Sequence, residues 1–503
     1  MIDSSERDKR NFINEYVKVL NNNRGALFAG AGLSIPSGGI SWKELLREEA
    51  DSIGIDVDKE NDLISVAQFI YNESRTRQTI TQLLKNKISK KGNINLNHEI
   101  LSSLPIKKAW TTNYDDFLER SFTDADKVVD LKKSVQDMAT EFDDTDVTIY
   151  KMHGDIGIPN SAVLLKDDYE IYDKKNELFT KTLQTDLYSN TFLFVGFSFD
   201  DPNLETILSK VRIMLEENPR RHYCILKKVM KDDAEYVDLK EDEKEKEYNY
   251  DWNKQQLRIR DLERYGIKAI LVDTYDEVTD ILLSIKRKYL SDKVFISGAY
   301  EEVEGFLGKT GNEAKILADR FCEKFGKVLF NEDIQTSSGL GFGVGRNIAT
   351  GFLKEEADSG NIRLSSKLII RPFPIVQEDE EKRRYRTKIL SECGVSVFLF
   401  GNKYEGDNLI DSPGVREEYE ISRELGHFII PVGSSGYESK KLFNRQKMLM
   451  SEHLSNEGEL LSHYKNLNNK NQKIDTLIDS IIILLKGYQK NPEKFKNLIE
   501  EDD

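Results

Sequence analysis

The feature that most constrains this chain is a short apolar run at residues 26–34, Ala-Leu-Phe-Ala-Gly-Ala-Gly-Leu-Ser. Four apolar residues followed by two glycines predict a buried strand that ends in a loop. Glycines in such a loop let a phosphate approach the backbone amides, and Ser34 adds a hydroxyl donor. A Gly-Ala-Gly turn also occurs where a chain simply reverses direction, so this motif alone does not distinguish a phosphate-binding loop from a plain turn.

Strand-like runs recur along the first half of the chain and alternate with segments of helical periodicity. They lie at residues 106–112, 147–152, 191–196, 223–226 and 267–272. This alternation predicts a doubly wound α/β domain with a parallel sheet. Helical patterns alone fill residues 42–90, so we expect a helical insertion after the first strand. An ordinary dehydrogenase would instead return a second strand with an acidic ribose ligand about 20 residues after the glycines.

A second domain begins after the helical run that ends near residue 289. Its strand-like runs and its glycine-rich stretch lie at residues 293–298, 327–330, 339–345, 368–370, 395–400 and 428–432. Helical patterns separate them, which predicts a second, smaller doubly wound α/β domain. The predicted domains are residues 1–289 and residues 290–503.

Composition excludes several classes of function. With 88 acidic and 73 basic residues the formal net charge is −15, and nucleic acid repels such a chain. Cys224, Cys322 and Cys393 are too few and too scattered for a disulfide framework or a cysteine zinc site, so we expect no metal. The longest aliphatic run covers only residues 481–485, and the N-terminus lacks a secretory signal. We predict a soluble cytoplasmic protein whose charged segment 227–254 is a solvated arm.

Three further strand ends carry polar side chains suited to a ligand. Asn113 and Asp115 follow the second strand-like run. His153 follows the third, and Gly196 and Ser198 follow the fourth. Because the carboxyl ends of parallel strands meet at one edge of a sheet, we expect these groups to converge on the glycine loop. A histidine there suits proton abstraction near neutral pH, although each group taken singly also fits a turn, a helix cap or a core position.

Taken together, the four strand ends resemble the signature blocks of the sirtuin fold. The blocks are Gly30-Ala31-Gly32-Leu33-Ser34, Thr112-Asn113-Tyr114-Asp115, His153-Gly154 and Gly196-Phe197-Ser198. The resemblance implies that NAD+ is bound here, as substrate. It also implies that phosphates are held by Gly30, Ala31, Gly32 and Ser34, the nicotinamide ribose by Asn113 and Asp115, and the adenosine side by Gly196 and Ser198, with His153 as catalytic base.

Departures from the sirtuin pattern change the expected reaction. Thr112 stands where sirtuins have glutamine, and Ser41-Trp42-Lys43 replaces their Asp-Phe-Arg. The four-cysteine zinc module of sirtuin deacylases is also missing. We therefore expect water to attack the ribose carbon as nicotinamide leaves, oriented by Asn113 and deprotonated by His153. The predicted reaction is hydrolysis of NAD+ to nicotinamide and ADP-ribose, and the alternatives are a non-catalytic nucleotide sensor and an NAD-dependent deacylase.

The second domain resembles the SLOG family of nucleotide-derivative sensors. The resemblance rests on Phe295-Ile296-Ser297-Gly298, on the glycine run and on Pro413-Gly414-Val415 before Glu418. A basic helix near residues 383–390 fits a ligand that carries phosphate. The resemblance implies a signal site formed by Ser297, Gly298, Gly341, Gly343, Arg371, Arg384 and Glu418.

A sirtuin-like domain followed by a SLOG domain resembles the NAD-consuming effector family of the Thoeris anti-phage defence system. The resemblance implies that a TIR-domain protein makes a cyclic ADP-ribose isomer on infection, which the SLOG domain binds. A homotetramer or higher assembly is then activated, and loss of NAD+ stops phage growth. On this resemblance residues 1–289 hydrolyse NAD+ and residues 290–503 sense the signal. We expect no nucleic acid and no membrane as partner.

Overall fold

The computed structural model describes residues 4–88, 92–140, 142–199, 201–215, 220–237, 239–360, 367–373, 378–496 and 498. The chain forms two compact units, Met1–Lys286 and Arg287–Asp503. Each unit alternates strands and helices around one parallel sheet, which confirms the predicted α/β class with two doubly wound domains.

The sheet of the first unit has seven strands in the order β3-β4-β2-β1-β5-β6-β7. The strands are β1 Gly25–Ala29, β2 Lys108–Thr111, β3 Val129–Lys132, β4 Val147–Lys151, β5 Thr191–Val195, β6 His222–Lys227 and β7 Ile267–Val272. All neighbours pair in parallel. Strand order reverses at β1, which lies between β2 and β5, so a crevice forms outside the carboxyl ends of these strands.

The helices of the first unit include the predicted insertion between β1 and β2. They are α1 Ser4–Asn21, α2 Ala31–Ser34, α3 Trp42–Ser52, α4 Leu63–Ser74, α5 Arg77–Ile88, α6 Leu96–Ser103, α7 Phe117–Asp124, α8 Lys166–Glu170, α9 Tyr172–Lys175, α10 Glu177–Ser189, α11 Pro202–Leu215, α12 Glu241–Arg264 and α13 Asp276–Leu290. Helix α3 begins after Ser41, whose Oγ accepts a hydrogen bond from the Glu44 amide at 3.2 Å. The apolar faces of α3, α4 and α5 share one core with Tyr114, so the insertion supports the loop after β2.

The central strand of this unit is buried along its whole length. Tyr16 of α1 donates a hydrogen bond to the Ala26 carbonyl at 3.1 Å, and Phe28 stacks on Phe194 of β5 with ring centroids 5.3 Å apart. This packing follows the sequence pattern, since a strand covered on both faces reads as a continuous apolar run. The glycine loop therefore starts from a rigid position.

The second unit has a five-stranded parallel sheet in the order β10-β9-β8-β11-β14, together with an antiparallel hairpin. The sheet strands are β8 Lys293–Ala299, β9 Gln335–Ser338, β10 Leu368–Ile370, β11 Val395–Phe400 and β14 Phe428–Pro431, and the hairpin strands are β12 Asn402–Glu405 and β13 Asn408–Asp411. The order reverses at β8, so a second crevice lies at the carboxyl ends of β8, β9 and β11.

The helices of the second unit are α14 Gly311–Asn331, α15 Val344–Asp358, α16 Asp379–Leu390, α17 Pro413–Glu424, α18 Tyr437–His453, α19 Gly458–Asn466 and α20 Ile474–Lys490.

One predicted strand of the second unit is wrong. Residues 327–330 lie in the last turns of α14, where Leu329 continues the buried stripe of Phe321 and Phe325. A short apolar run cannot be assigned to strand or helix by itself, and here the helical stripe determines the structure.

Short 3-10 turns complete both units at Ile35–Ser37, Asp137–Ala139, Pro159–Ser161, Ala234–Tyr236, Gly433–Ser435 and Pro492–Phe495. The aliphatic run 481–485 lies in α20 and belongs to the core of the second unit. Within the described ranges no helix is long and apolar enough to span a bilayer, and no three His, Cys, Asp or Glu side chains are grouped to hold a metal ion. The three cysteines are buried free thiols.

Candidate active site

The glycine loop after β1 is joined directly to the loop after β5. The Gly30 amide donates to the Val195 carbonyl and the Gly32 amide donates to the Gly196 carbonyl, both at 2.9 Å. A Cβ on Gly30 would lie 2.3 Å from the Gly196 oxygen, and Gly196 itself has a φ of 65°. The glycines are therefore required because the two backbones touch, and the amides of Gly30 and Gly32 serve this contact.

Asn113 lies against the same loop. Its Nδ2 donates to the Gly30 carbonyl and to Ser34 Oγ, both at 3.1 Å. Its backbone amide donates to Thr111 Oγ1 at 3.0 Å, which fixes the turn after β2. With both amide hydrogens used, Oδ1 is the remaining polar atom of the Asn113 side chain. The structure thus brings two of the predicted blocks together through Asn113.

Asp115 completes this part of the site. Burial raises the pKa of Asp115, while the Lys151 ammonium and a hydrogen bond from Ser34 oppose that rise. The carboxylate also accepts a hydrogen bond from the Phe117 amide at 3.3 Å, which is the predicted Asx turn at the start of α7. Asp115 is therefore both a turn residue and a wall of the crevice.

A cavity lies beside these residues at the carboxyl ends of β1 and β2. Its empty volume is about 540 Å³, a figure that includes open solvent. The lining residues are Ala31, Gly38, Gly39, Ile40, Trp42, Leu45, Ile88, Thr112, Asn113, Tyr114, Asp115 and Phe117. One wall comes from the glycine loop, one from the loop after β2 and one from the helical insertion.

His153 follows β4, the neighbour of β2, and is buried at 2% exposure. Tyr169 and Tyr172 meet its ring edge-on, with centroids 5.4 and 6.1 Å away. Burial lowers the pKa of His153, and the Asp201 carboxylate counteracts this shift. The imidazole is therefore neutral at cellular pH, which is the form that accepts a proton. It does not line the cavity around Asn113, although β2 and β4 run side by side in register.

Asp201 is a residue that the sequence did not single out. Its Oδ1 caps α11 by accepting the Leu204 amide at 3.0 Å, and its Oδ2 lies 3.1 Å from His153 Nε2. The contact is close, but its direction leaves the buried Nε2 without a hydrogen bond. The motif after β5 therefore has two functions, since one carboxylate both starts a helix and faces the histidine. No local pattern signals this pairing, which joins residues 48 positions apart.

Ser198 lies in a different groove, at the carboxyl ends of β6 and β7. The groove has an empty volume of about 1310 Å³, open solvent included. Its lining residues are Ser198, Leu226, Lys227, Lys228, Val229, Asp233, Ala234, Tyr236, Asp251, Lys254, Gln255, Arg258 and Tyr275. Part of the segment 227–254, expected to be a solvated arm, therefore forms a wall of this groove.

The second unit brings Ser297 and Glu418 together at its own crevice. Ser297 Oγ donates to Glu418 Oε2 at 2.5 Å, and the Glu418 side chain is buried. Burial raises the pKa of Glu418 to about 7, opposed by the Ser297 hydrogen bond and by Arg386. Gly298 and Gly341 touch here, because a Cβ on Gly341 would lie 2.0 Å from the Gly298 oxygen.

Gly343 is the N-cap residue of α15, with a φ of 75°, and packs on the Tyr300 ring. A Cβ at this position would lie 2.6 Å from that ring, so the residue has to be glycine for the loop to close. The predicted glycine positions thus belong to one loop system beside Ser297.

The basic residue beside Glu418 is Arg386, whose Nε lies 3.7 Å from the Glu418 carboxylate. Arg386 also pairs with Glu417 and lies over the Phe373 ring at 5.0 Å. The structure does not bring the two predicted arginines to this point. Arg384 is exposed. The Arg371 guanidinium lies 2.8 Å from the carboxylate of Glu392, which precedes β11 and therefore lies at the amino end of that strand. Helical spacing within the basic run decides which arginine faces inward, and the sequence left this undetermined.

Comparison with known proteins gives two matches to protein families. The SIR2-like domain family matches residues 107–253, and the Sir2- and TIR-associating SLOG family matches residues 277–488. Three relatives are each named NAD(+) hydrolase ThsA. The relative from Enterococcus faecium is 38% identical over 96% of this chain and 100% of its own length. Those from Bacillus cereus (strain MSX-D12) and Acinetobacter baumannii (strain 532279) are 39% and 38% identical, covering 94% and 88% of this chain and 96% and 90% of their own lengths.

This chain belongs to the ThsA family. The predicted pairing of a sirtuin-like domain with a SLOG domain is thereby confirmed, as is the resemblance to the Thoeris effectors. The ThsA relatives bear the name of an enzyme, NAD(+) hydrolase, which agrees with the predicted class of reaction. Their alignment along nearly the whole chain places both crevices in sequence that ThsA proteins share.

Proposed function

We propose that this chain hydrolyses the bond between nicotinamide and ribose in NAD+, releasing nicotinamide and ADP-ribose. The main support for the proposal is the placement of Asn113. Its side-chain amide is hydrogen-bonded to the glycine loop, and it lines a cavity together with Asp115. On the adjacent strand, His153 is buried and neutral. The name of the ThsA relatives supports the same reaction.

The chemistry needs few groups, because departure of nicotinamide leaves a positively charged, oxocarbenium-like ribose. Asn113 presents its side-chain oxygen to the attacking water or to a ribose hydroxyl, since both its amide hydrogens are bound elsewhere. Asp115 adds a carboxylate that holds the ribose. His153 accepts the proton of the nucleophile, and Asp201 stabilises the resulting imidazolium.

We place the phosphates beside Gly30, Ala31, Gly32 and Ser34, and the adenosine half in the groove of Ser198 and Gly196. Ala31 lines the Asn113 cavity, and the Gly32 amide donates a hydrogen bond to Gly196, two residues before Ser198, so the glycine loop contacts both spaces. The basic side chains of the Ser198 groove suit a phosphorylated ligand.

The second unit acts in this proposal as a sensor of a cyclic ADP-ribose-type signal made by a TIR-domain protein. Ser297, Gly298 and Glu418 offer a hydroxyl, a close-lying backbone and a carboxylate for ribose hydroxyls. Arg386 supplies the positive charge for phosphate, the role that the sequence assigned to Arg371 and Arg384. To shift the protein from nearly all inactive to nearly all active, the signal must bind the active conformation about 5.5 kcal/mol more tightly than the inactive one. Several charge-assisted contacts provide this difference.

The proposed biological role is that of a cytoplasmic anti-phage effector that depletes NAD+ as an activated homo-oligomer. A test uses the purified full chain with NAD+, with and without cyclic ADP-ribose isomers and an acetylated peptide. We expect nicotinamide and ADP-ribose without peptide, at a higher rate with an isomer. Nicotinamide released only with the peptide would indicate a deacylase instead, and NAD+ binding without turnover in any mixture would indicate a sensor.

A further inference from the structure

A lysine ammonium is buried directly beneath the proposed active site. Lys151 is the last residue of β4, and its side chain is 0% exposed. Its Nζ donates to Glu119 Oε1 at 2.9 Å and to Asp155 Oδ2 at 2.6 Å. Burial by itself lowers the pKa of Lys151, but these two carboxylates raise it above its ordinary value. The side chain is therefore a permanent cation inside the protein.

Three of the partners of this ammonium lie in the two loops that carry the proposed catalytic side chains, the loop after β2 and the loop after β4. Nζ lies 3.3 Å from the Tyr114 carbonyl and 2.5 Å from the Asp115 carbonyl, in the loop that carries Asn113. Asp155 lies two residues after His153, in the loop after β4. One point charge thus connects the loop of Asn113 to the loop of His153 through polar contacts.

This arrangement differs from that of an ion pair that serves stability alone. Lys132 on the adjacent strand β3 is the comparison, because it is almost equally buried. Its Nζ lies 2.9 Å from Asp130 on its own strand and also binds the Thr140 carbonyl. These contacts lie outside both catalytic loops. Lys132 therefore satisfies a buried charge close to its own strand. The Lys151 ammonium, besides its two carboxylates, also contacts two backbone carbonyls of the turn that carries Asn113.

We propose that Lys151 is a positioning residue for NAD+ hydrolysis, whose ammonium fixes the loop of Asn113 and Asp115 relative to the loop of His153. The inference rests on the proposed function, in which these three side chains act on NAD+. Two carbonyl contacts hold the turn after β2, and the Asp155 contact holds the turn after β4. Misplacement of reacting groups by about 1 Å costs on the order of a hundredfold in rate, so this lysine acts on turnover without touching the substrate.

The test compares Lys151→Met with Lys132→Met in the full chain, with cyclic ADP-ribose isomers added as activators. Nicotinamide release gives kcat and KM, and thermal melting gives the Tm. We expect Lys151→Met to lower kcat at least about tenfold with a smaller change in KM, because geometry in the transition state is lost. Lys132→Met should keep kcat within about twofold, even where its Tm falls as far. Equal kcat for the two variants would overturn the inference.

A second variant covers the case in which Lys151→Met does not fold. Lys151→Arg keeps the buried charge, but its planar guanidinium cannot reach the same acceptors in the same directions. We expect a folded protein with kcat reduced at least about fivefold, and wild-type kcat in Lys151→Arg would overturn the inference. Asn113→Ala and His153→Ala serve as references. Wild-type activity in either reference would refute the proposed function itself, whereas inactive references with unaffected Lys151 variants would refute only the positioning role.

Discussion

Replacing Gly196 by alanine should separate the two loops that form the phosphate side of the site. A Cβ at Gly196 would lie 2.2 Å from the Leu33 amide nitrogen and 2.7 Å from the Gly32 carbonyl carbon. Ordinary contacts of this kind are near 3.5 Å, so the backbones would have to part by about 1 Å. The left-handed φ of 65° adds roughly 1 kcal/mol for any residue with a Cβ. With about 1–3 kcal/mol for overpacking, the expected loss of stability is about 2–4 kcal/mol.

Gly54→Ala is the matched control, because Gly54 also has a left-handed φ, 80°, but has open space around its Cβ position. It should cost only the conformational share, roughly 1 kcal/mol. The assays are thermal melting and nicotinamide release from NAD+. We expect Gly196→Ala to melt at a lower temperature than Gly54→Ala and to lose at least about tenfold in kcat, because Asn113 is fastened to the moving Gly30. Equal melting of the two variants and wild-type turnover in Gly196→Ala would show that the contact between the two loops does not require glycine at position 196.

Three further predictions follow from the described contacts. Asp201→Asn removes the charge that raises the pKa of His153. The acidic limb of the pH profile of kcat/KM should therefore move to lower pH, and the maximal rate should fall. An unchanged pH–rate profile would contradict the pairing of Asp201 with His153. Burial lowers the pKa of His98 to about 4, so the free energy of unfolding should fall by up to about 1.4 kcal/mol per pH unit as pH drops from 6.5 towards 4. His98→Phe should flatten that dependence in denaturant titrations at several pH values, and an equal slope would exclude His98 as its source. Arg386→Ala should abolish activation by cyclic ADP-ribose isomers while Arg384→Ala retains it, and the reverse result would return the signal site to Arg384.

The sequence predicted a structural element correctly where the pattern of residues favours only one kind of element. The run before Gly30 was predicted to be a covered strand because two glycines end it, and β1 is such a strand. The polar residues after the strands were expected at one edge of the parallel sheet. Asn113 and Asp115 line a cavity there, but His153 lies outside this cavity and Ser198 lines another groove. The apolar run at 327–330 fits either a strand or a helix, and it is helical because it continues the buried stripe of α14. Strand β3 was not predicted, because Val129–Lys132 is only four residues long and its buried side chains are the charged ones, Asp130 and Lys132, which pair with each other.

The parts of the site that escaped prediction are contacts between distant segments. Asp201 caps a helix with one oxygen and faces His153 with the other, and only the fold places these residues together. Lys151 looked like one more residue of a strand, yet its ammonium binds carbonyls 36 and 37 residues earlier in the chain. Arg386 differs from Arg384 only by its direction on α16. Such pairings depend on packing, which local patterns do not encode.

The proposed function depends on Asn113 and His153 as the residues that carry out NAD+ hydrolysis. Its most direct test measures nicotinamide release and NAD+ binding for wild type, Asn113→Ala and His153→Ala, each with cyclic ADP-ribose isomers present. We expect both variants to bind NAD+ but to release nicotinamide at least about a hundredfold more slowly than wild type. Nicotinamide release at the wild-type rate by either variant would contradict it.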